Sequence, residues 1–101
     1  MELDKKDRDV ITIKRMEGKI KAFYRHLPSG VTWAEFQYFM DGVVQFLTVN
    51  AHECADIPHN NSNLFKYESI TPRWLNKFVI YFTVEEDDEG EYIILQDIDY
   101  N

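Results

Sequence analysis

The apolar side chains change their period halfway along the chain, and that change restricts the fold more than any other feature. In the first half they recur at helical spacing. Ile13, Met16, Ile20, Phe23 and Leu27 fall three or four residues apart, which lines one face of an amphipathic helix. Phe36, Phe39, Met40, Val43, Val44, Phe46 and Leu47 repeat the pattern over a broader stripe. From Leu64 onward the apolar residues come instead in β-branched and aromatic runs, which suit strands. A chain with helices first and strands afterwards folds as α+β rather than as alternating βαβ units.

Local signals place the boundaries. Val10, Ile11, Thr12 and Ile13 are all β-branched, which predicts a short strand at about 10–15 before a helix at about 16–27. Pro28, Ser29 and Gly30 end that helix in a turn. Thr32-Trp33-Ala34-Glu35 is a capping box, in which the Thr32 hydroxyl and the Glu35 carboxylate satisfy backbone donors that a helix start leaves unpaired. Val31 and Phe36 stand where a hydrophobic staple packs. A second helix is therefore expected from Trp33 to about residue 49, and Gly42 within it is expected to mark a close helix contact. Residues 50–63 contain Pro58 and the run His59-Asn60-Asn61-Ser62-Asn63, which reads as a loop. Three strands follow, at Leu64–Ile70, Phe78–Val84 and Tyr92–Ile98, with the acidic segment Glu85–Glu91 as the hairpin joining the last two. The expected order is β-α-α-β-β-β: two helices packed on one face of a small, mainly antiparallel sheet. Residues 1–9 are expected to fray, leaving 10–101 as one domain.

At 101 residues a chain buries only about 60–65% of its unfolded surface, so a surface or shallow cleft is expected to carry function. The 45% hydrophobic and 15% aromatic content excludes an intrinsically disordered chain. No apolar run approaches the about 20 residues that cross a bilayer as a helix. The first residues lack the apolar core of a signal peptide, and Cys54 has no second cysteine to pair with; a cytoplasmic location is expected.

The charge is polarised. Eighteen acidic residues against eleven basic ones give a net charge of −7. Residues 1–27 hold eight basic and five acidic side chains, whereas the remaining residues hold three basic ones (Lys66, Arg73, Lys77) and thirteen acidic ones. The acidic residues concentrate in Glu85, Glu86, Asp87, Asp88, Glu89, Glu91, Asp97 and Asp99. Such a surface repels nucleic-acid phosphate and suits docking on a basic groove; solubility is the plain alternative. Free nucleic acid is therefore not an expected partner, and a protein is.

The remaining candidates are weaker. His52, Glu53, Cys54 and His59 have the donor types of a zinc site but match no common zinc spacing, and no nucleophile signature surrounds Cys54. Glu85–Glu91 lacks the alternating ligand spacing of a calcium loop. No metal or cofactor is expected. Among Trp33, Trp74, Tyr24, Tyr38, Tyr67 and Tyr81, Trp74 after Pro72-Arg73 is the residue expected to be partly exposed as a binding contact.

This order resembles the RelE/ParE superfamily of toxins from bacterial toxin–antitoxin modules, over about residues 10–100. The opening strand from Val10, the first helix closing on Phe23-Tyr24-Arg25-His26-Leu27-Pro28, and the strand Lys77-Phe78-Val79-Ile80-Tyr81-Phe82-Thr83-Val84 with the acidic turn and last strand after it carry the resemblance. It implies an antitoxin-like protein partner. In the branch that cuts messenger RNA on the ribosome it implies catalytic roles for Lys66, Arg73, Lys77 and Tyr100. Where such enzymes carry Arg or His, this chain ends Leu95-Gln96-Asp97-Ile98-Asp99-Tyr100-Asn101, and carboxylates there repel a scissile phosphate. The ParE branch, which binds a protein target, needs no such basic site. The reading is a toxin-type protein acting mainly by protein binding. The alternative is an acidic inhibitor or immunity protein that mimics nucleic acid and covers a basic site, and a homodimer or a purely structural partner is a further option.

Overall fold

The computed structural model describes residues 9–51, 55–56 and 64–101. The expected fraying of residues 1–8 and the His52, Glu53, Cys54 and His59 grouping lie outside the described residues. The elements run β1 (Asp9–Thr12), α1 (Lys14–Arg25), α2 (Trp33–Asn50), β2 (Ala55–Asp56), β3 (Leu64–Glu68), β4 (Phe78–Asp87) and β5 (Gly90–Tyr100). The fold is α+β, with one sheet in the order β1-β5-β4-β3-β2. β1 pairs parallel with β5, and the other pairs are antiparallel.

The strand register sorts the side chains into two faces, because successive residues of a strand point to opposite sides. Phe78 pairs with Tyr100, Ile80 with Ile98 and with Tyr67, and Phe82 with Leu95 and with Phe65. This set shares one face. Both helices lie on it: Phe23 of α1 stacks on Phe78 at 5.4 Å and meets Tyr100 at 4.2 Å. From α2, Phe39 meets Phe78 edge-on at 5.1 Å and Phe46 stacks on Tyr67 at 4.3 Å. The core between the layers holds Met16, Phe23, Phe36, Met40, Leu47, Phe78, Ile80, Phe82, Ile93 and Leu95, all buried.

Each helix boundary has a local cause. α1 starts at Lys14, two residues before the expected position, because the Ile13 carbonyl accepts the first helical bonds from the Met16 and Glu17 N–H groups. It closes when the His26 N–H bonds to the Ala22 and Phe23 carbonyls and the Leu27 N–H to that of Tyr24, a tightened last turn. α2 begins at the capping box. The Glu35 N–H donates to Thr32 Oγ1 at 3.1 Å, and the Thr32 N–H donates to Glu35 Oε1 at 3.0 Å. Val31 and Phe36 beside it are both buried.

Four expectations need correction. Residues 50–63 are not wholly a loop: Asn50 completes α2, and Ala55–Asp56 pairs with Lys66 and Phe65 as a fifth strand. Two residues joined by a non-local pairing leave no periodicity to read. Glu85–Glu91 is mostly strand, since Glu85 pairs with Tyr92, Glu86 with Glu91 and Asp87 with Gly90. Only Asp88 and Glu89 form the turn, closed by Gly90 at φ 124° and by the Glu89 N–H bond to Asp87 Oδ1 at 2.8 Å. Gly42 marks no close contact, because a Cβ built there meets nothing within 4 Å. Asp9, expected in the frayed terminus, is the first residue of β1 and pairs with Tyr92.

β5 also carries an irregularity. Tyr81 pairs with Asp97 and Phe82 with Leu95, so Gln96 is the extra residue of a β-bulge. Its amide donates to Thr83 Oγ1 at 3.2 Å. The bulge lets Leu95 and Ile98 both serve the helix-facing side although three positions separate them.

Candidate functional site: an apolar groove at the start of the second helix

The residues to which the resemblance gives catalytic roles do not converge. Tyr100 lies on the helix-facing side, half-buried against Phe23. Lys66 is exposed on β3, paired with Tyr81, and so lies on the opposite face of the sheet from Tyr67 and Tyr100. Lys77 is exposed just ahead of β4 and ion-paired with Asp99 at 3.9 Å. Arg73 is exposed in the β3–β4 connection. A phosphate held by Lys66 would lie across the sheet from the Tyr100 hydroxyl. Among the described residues, no grouping of His, Cys, Asp and Glu could hold a metal ion, and no helix is long and apolar enough to cross a membrane.

The acidic residues fall into two sets. Asp97 accepts a 2.8 Å bond from Lys19 Nζ of α1. That bond, assisted by the Ile98 N–H and by the charges of Lys19 and Arg15, holds its carboxyl below the usual carboxylate value against the opposing effect of partial burial. The basic amino-terminal helix thus lies against the acidic carboxy-terminal strand, and Asp97 and Asp99 both have a partner within the fold. Glu86, Asp87, Asp88 and Glu89 are exposed at the hairpin. The register sets Glu86 directly across from Glu91.

A concave, mostly apolar surface lies at the other end of β4, about 30 Å from the hairpin tip for a ten-residue strand. It is an open groove of about 570 Å³ between the first turns of α2 and the β3–β4 connection. Phe39 and Trp74 meet edge-on at 5.8 Å in its lining, and Phe39 continues inward to Phe78 of the core. Ala34, Thr71 and Pro72 complete its walls, and Glu35 is the charged residue in the lining. On its rims stand Tyr38, 83% exposed, and Ile70, 91% exposed. Trp33, 52% exposed, flanks the start of α2 and meets Tyr24 edge-on at 4.9 Å.

Each wall has a sequence cause. The capping box fixes where α2 begins, which sends Ala34, Glu35 and Tyr38 along one side of the helix at spacings of three and four. On the other wall, β3 ends at Glu68, the Ser69 N–H makes a last bond to the Phe78 carbonyl, and Pro72 has no N–H with which to resume a ladder. The Leu75 N–H then bonds to the Pro72 carbonyl at 3.1 Å, turning the chain so that Leu75 is buried and Trp74 lines the groove. Trp74 is partly exposed. Ile70 was not singled out in the sequence. The sequence reading ends the expected strand Leu64–Ile70 on it, whereas β3 stops at Glu68 and leaves it bare.

No family model, curated protein or solved structure matches this chain.

Proposed function

We propose that this is a toxin-type protein-binding domain, similar in plan to the RelE/ParE toxins, that acts by seating a partner protein rather than by cutting RNA. The observation that carries the reading is the groove, with Tyr38 and Ile70 exposed at its rims. A small domain rarely leaves two large apolar side chains so bare beside an apolar cleft unless a partner covers them. Aromatic residues at the centre of such a patch are the usual anchors of protein interfaces. The separation of Lys66 from Tyr100 across the sheet supports binding over catalysis, since a general base and its phosphate clamp act on one reacting centre.

Expression of the protein alone in bacteria tests it. Growth arrest is expected, relieved by Ile70→Asp and retained in Tyr100→Phe and in Lys66→Ala. Harmless expression refutes the toxin-type reading, and relief by Tyr100→Phe would restore the ribonuclease.

The hairpin favours a second reading, an acidic inhibitor or immunity protein. Glu86, Asp87, Asp88 and Glu89 stand exposed together at its tip, a negative surface suited to a basic groove. On this reading a purified basic nuclease binds with salt-sensitive affinity, and charge reversal at Glu86 and Asp88 abolishes the complex. An unaffected complex rejects it.

A further inference from the structure

We infer that the outward face of α1 is a docking surface for a short acidic segment of a partner protein. This surface is separate from the groove, and neither depends on the other.

The outward face of α1 is cationic in an acidic chain. The helix holds Lys14, Arg15, Lys19, Lys21 and Arg25 against one acid, Glu17, although the net charge of the chain is −7. In the same layer, α2 holds Glu35 and Asp41 and no cation. Met16 and Phe23 bury one side of α1. Opposite them, Lys14, Gly18, Lys21 and Arg25 follow one another at spacings of four, three and four, within an arc of about 60° around the helix axis. All four are exposed. Lys19 turns toward β5 and is paired with Asp97, whereas Lys14, Lys21 and Arg25 have no ion-pair partner among the described residues.

Gly18 supplies a second, independent observation. It stands within this ridge, between Lys14 and Lys21, and a Cβ built there meets nothing within 4 Å. The fold therefore does not require glycine at this position, and alanine would favour the helix. The missing side chain leaves a dent in the ridge, where the backbone of another chain can come close to α1.

The dimensions of the ridge select the kind of anion. It is about 16 Å long, with its cations about 10 and 6 Å apart along the axis. Its width is one stripe, because Glu17 stands on one flank and Asp97, held by Lys19, on the other. The carboxylates of a short segment fit within these limits, and the complementary charge orients the segment as it docks. A nucleic-acid strand carries its phosphates past both ends, over a chain whose residues 28–101 hold thirteen acidic side chains against three basic ones, and is repelled there.

The test measures the fluorescence anisotropy of two labelled helical peptides of equal length, with glutamate or lysine along one face, titrated with the full chain. The glutamate peptide is expected to bind about tenfold tighter than the lysine peptide, the sum of three exposed ion pairs, and to weaken with added salt. Lys21→Gln combined with Arg25→Gln removes most of that preference at an unchanged melting temperature. Gly18→Ala is expected to raise the melting temperature by a few degrees. The same variant is expected to weaken the glutamate peptide about two- to fivefold, a combination that a purely structural glycine does not give. Equal affinity for the two peptides, or a preference that survives the double substitution, overturns the proposal. Unchanged peptide affinity in Gly18→Ala overturns it as well, since nothing then comes close at that position. Loss of binding in Ile70→Asp would put the peptide in the groove instead of on α1. A short single-stranded RNA that displaces the glutamate peptide and binds more tightly would make a nucleic acid the occupant, and either result also refutes the proposal.

Discussion

Replacing Phe23 with leucine should destabilise this protein more than any change of similar size at its surface. Phe23 is fully buried, and its ring is shared by every layer of the fold. It stacks on Phe78 of β4, meets Phe36 of α2 edge-on at 5.4 Å and lies 4.2 Å from Tyr100 of β5. Aromatic pairs contribute about 0.5–1.5 kcal/mol each beyond their buried area. The three pairs share one ring and do not add, so about 1–1.5 kcal/mol is lost from ring contacts. Leucine fills most of the space but not all of it, and the residual void costs about 0.5–1 kcal/mol more. The total of about 2 kcal/mol corresponds to a fall in melting temperature of about 8–16 °C for a domain of this length. Calorimetry on Phe23→Leu, with Tyr38→Ala as the surface reference, measures it. Tyr38→Ala is expected to stay within about 0.5 kcal/mol of the parent. A Phe23→Leu variant that melts with the parent would refute the placement of α1 over β4 and β5.

Two further outcomes follow from local geometry. Asp97 titrates below its usual range because Lys19 holds the charged form. Its contribution is therefore complete above the unfolded-state value of about 3.9 and is lost as pH falls through the lower folded-state value. Both partners are about half exposed, so Asp97→Asn is expected to cost about 0.2–1 kcal/mol near neutral pH and nothing in strong acid; urea midpoints against pH report the difference, and a cost that persists in strong acid would assign the effect to packing. Gly90 turns the hairpin at φ 124° with open space around it, so Gly90→Ala is expected to cost about 1–2 kcal/mol through backbone strain alone. A neutral Gly90→Ala by chemical denaturation would contradict that turn.

The sequence by itself determined the elements whose causes are local. The capping box at Thr32–Glu35, the helical stripes and the β-branched runs act through neighbours within one or two turns, and the order of helices and long strands follows from them. The acidic run Glu85–Glu91 reads as the hairpin joining two strands that end at Val84 and begin at Tyr92, yet pairing with β5 carries β4 to Asp87 and leaves only Asp88 and Glu89 as the turn. That pairing is a tertiary event, as are the two-residue β2 and the bulge at Gln96.

The site divides the same way. Trp74 was legible as a contact because Pro72 breaks the strand before it. Ile70 was not, because nothing local distinguishes an apolar residue that will be buried from one that will be bare. The resemblance implies one site for Lys66 and Tyr100, and only the register, with its alternation of faces, sets them on opposite sides of the sheet. The net charge of −7 was fixed by composition. That the basic first helix comes to lie against the acidic last strand, joining Lys19 to Asp97 across 78 positions, was decided by the parallel pairing of β1 with β5, which no local propensity encodes.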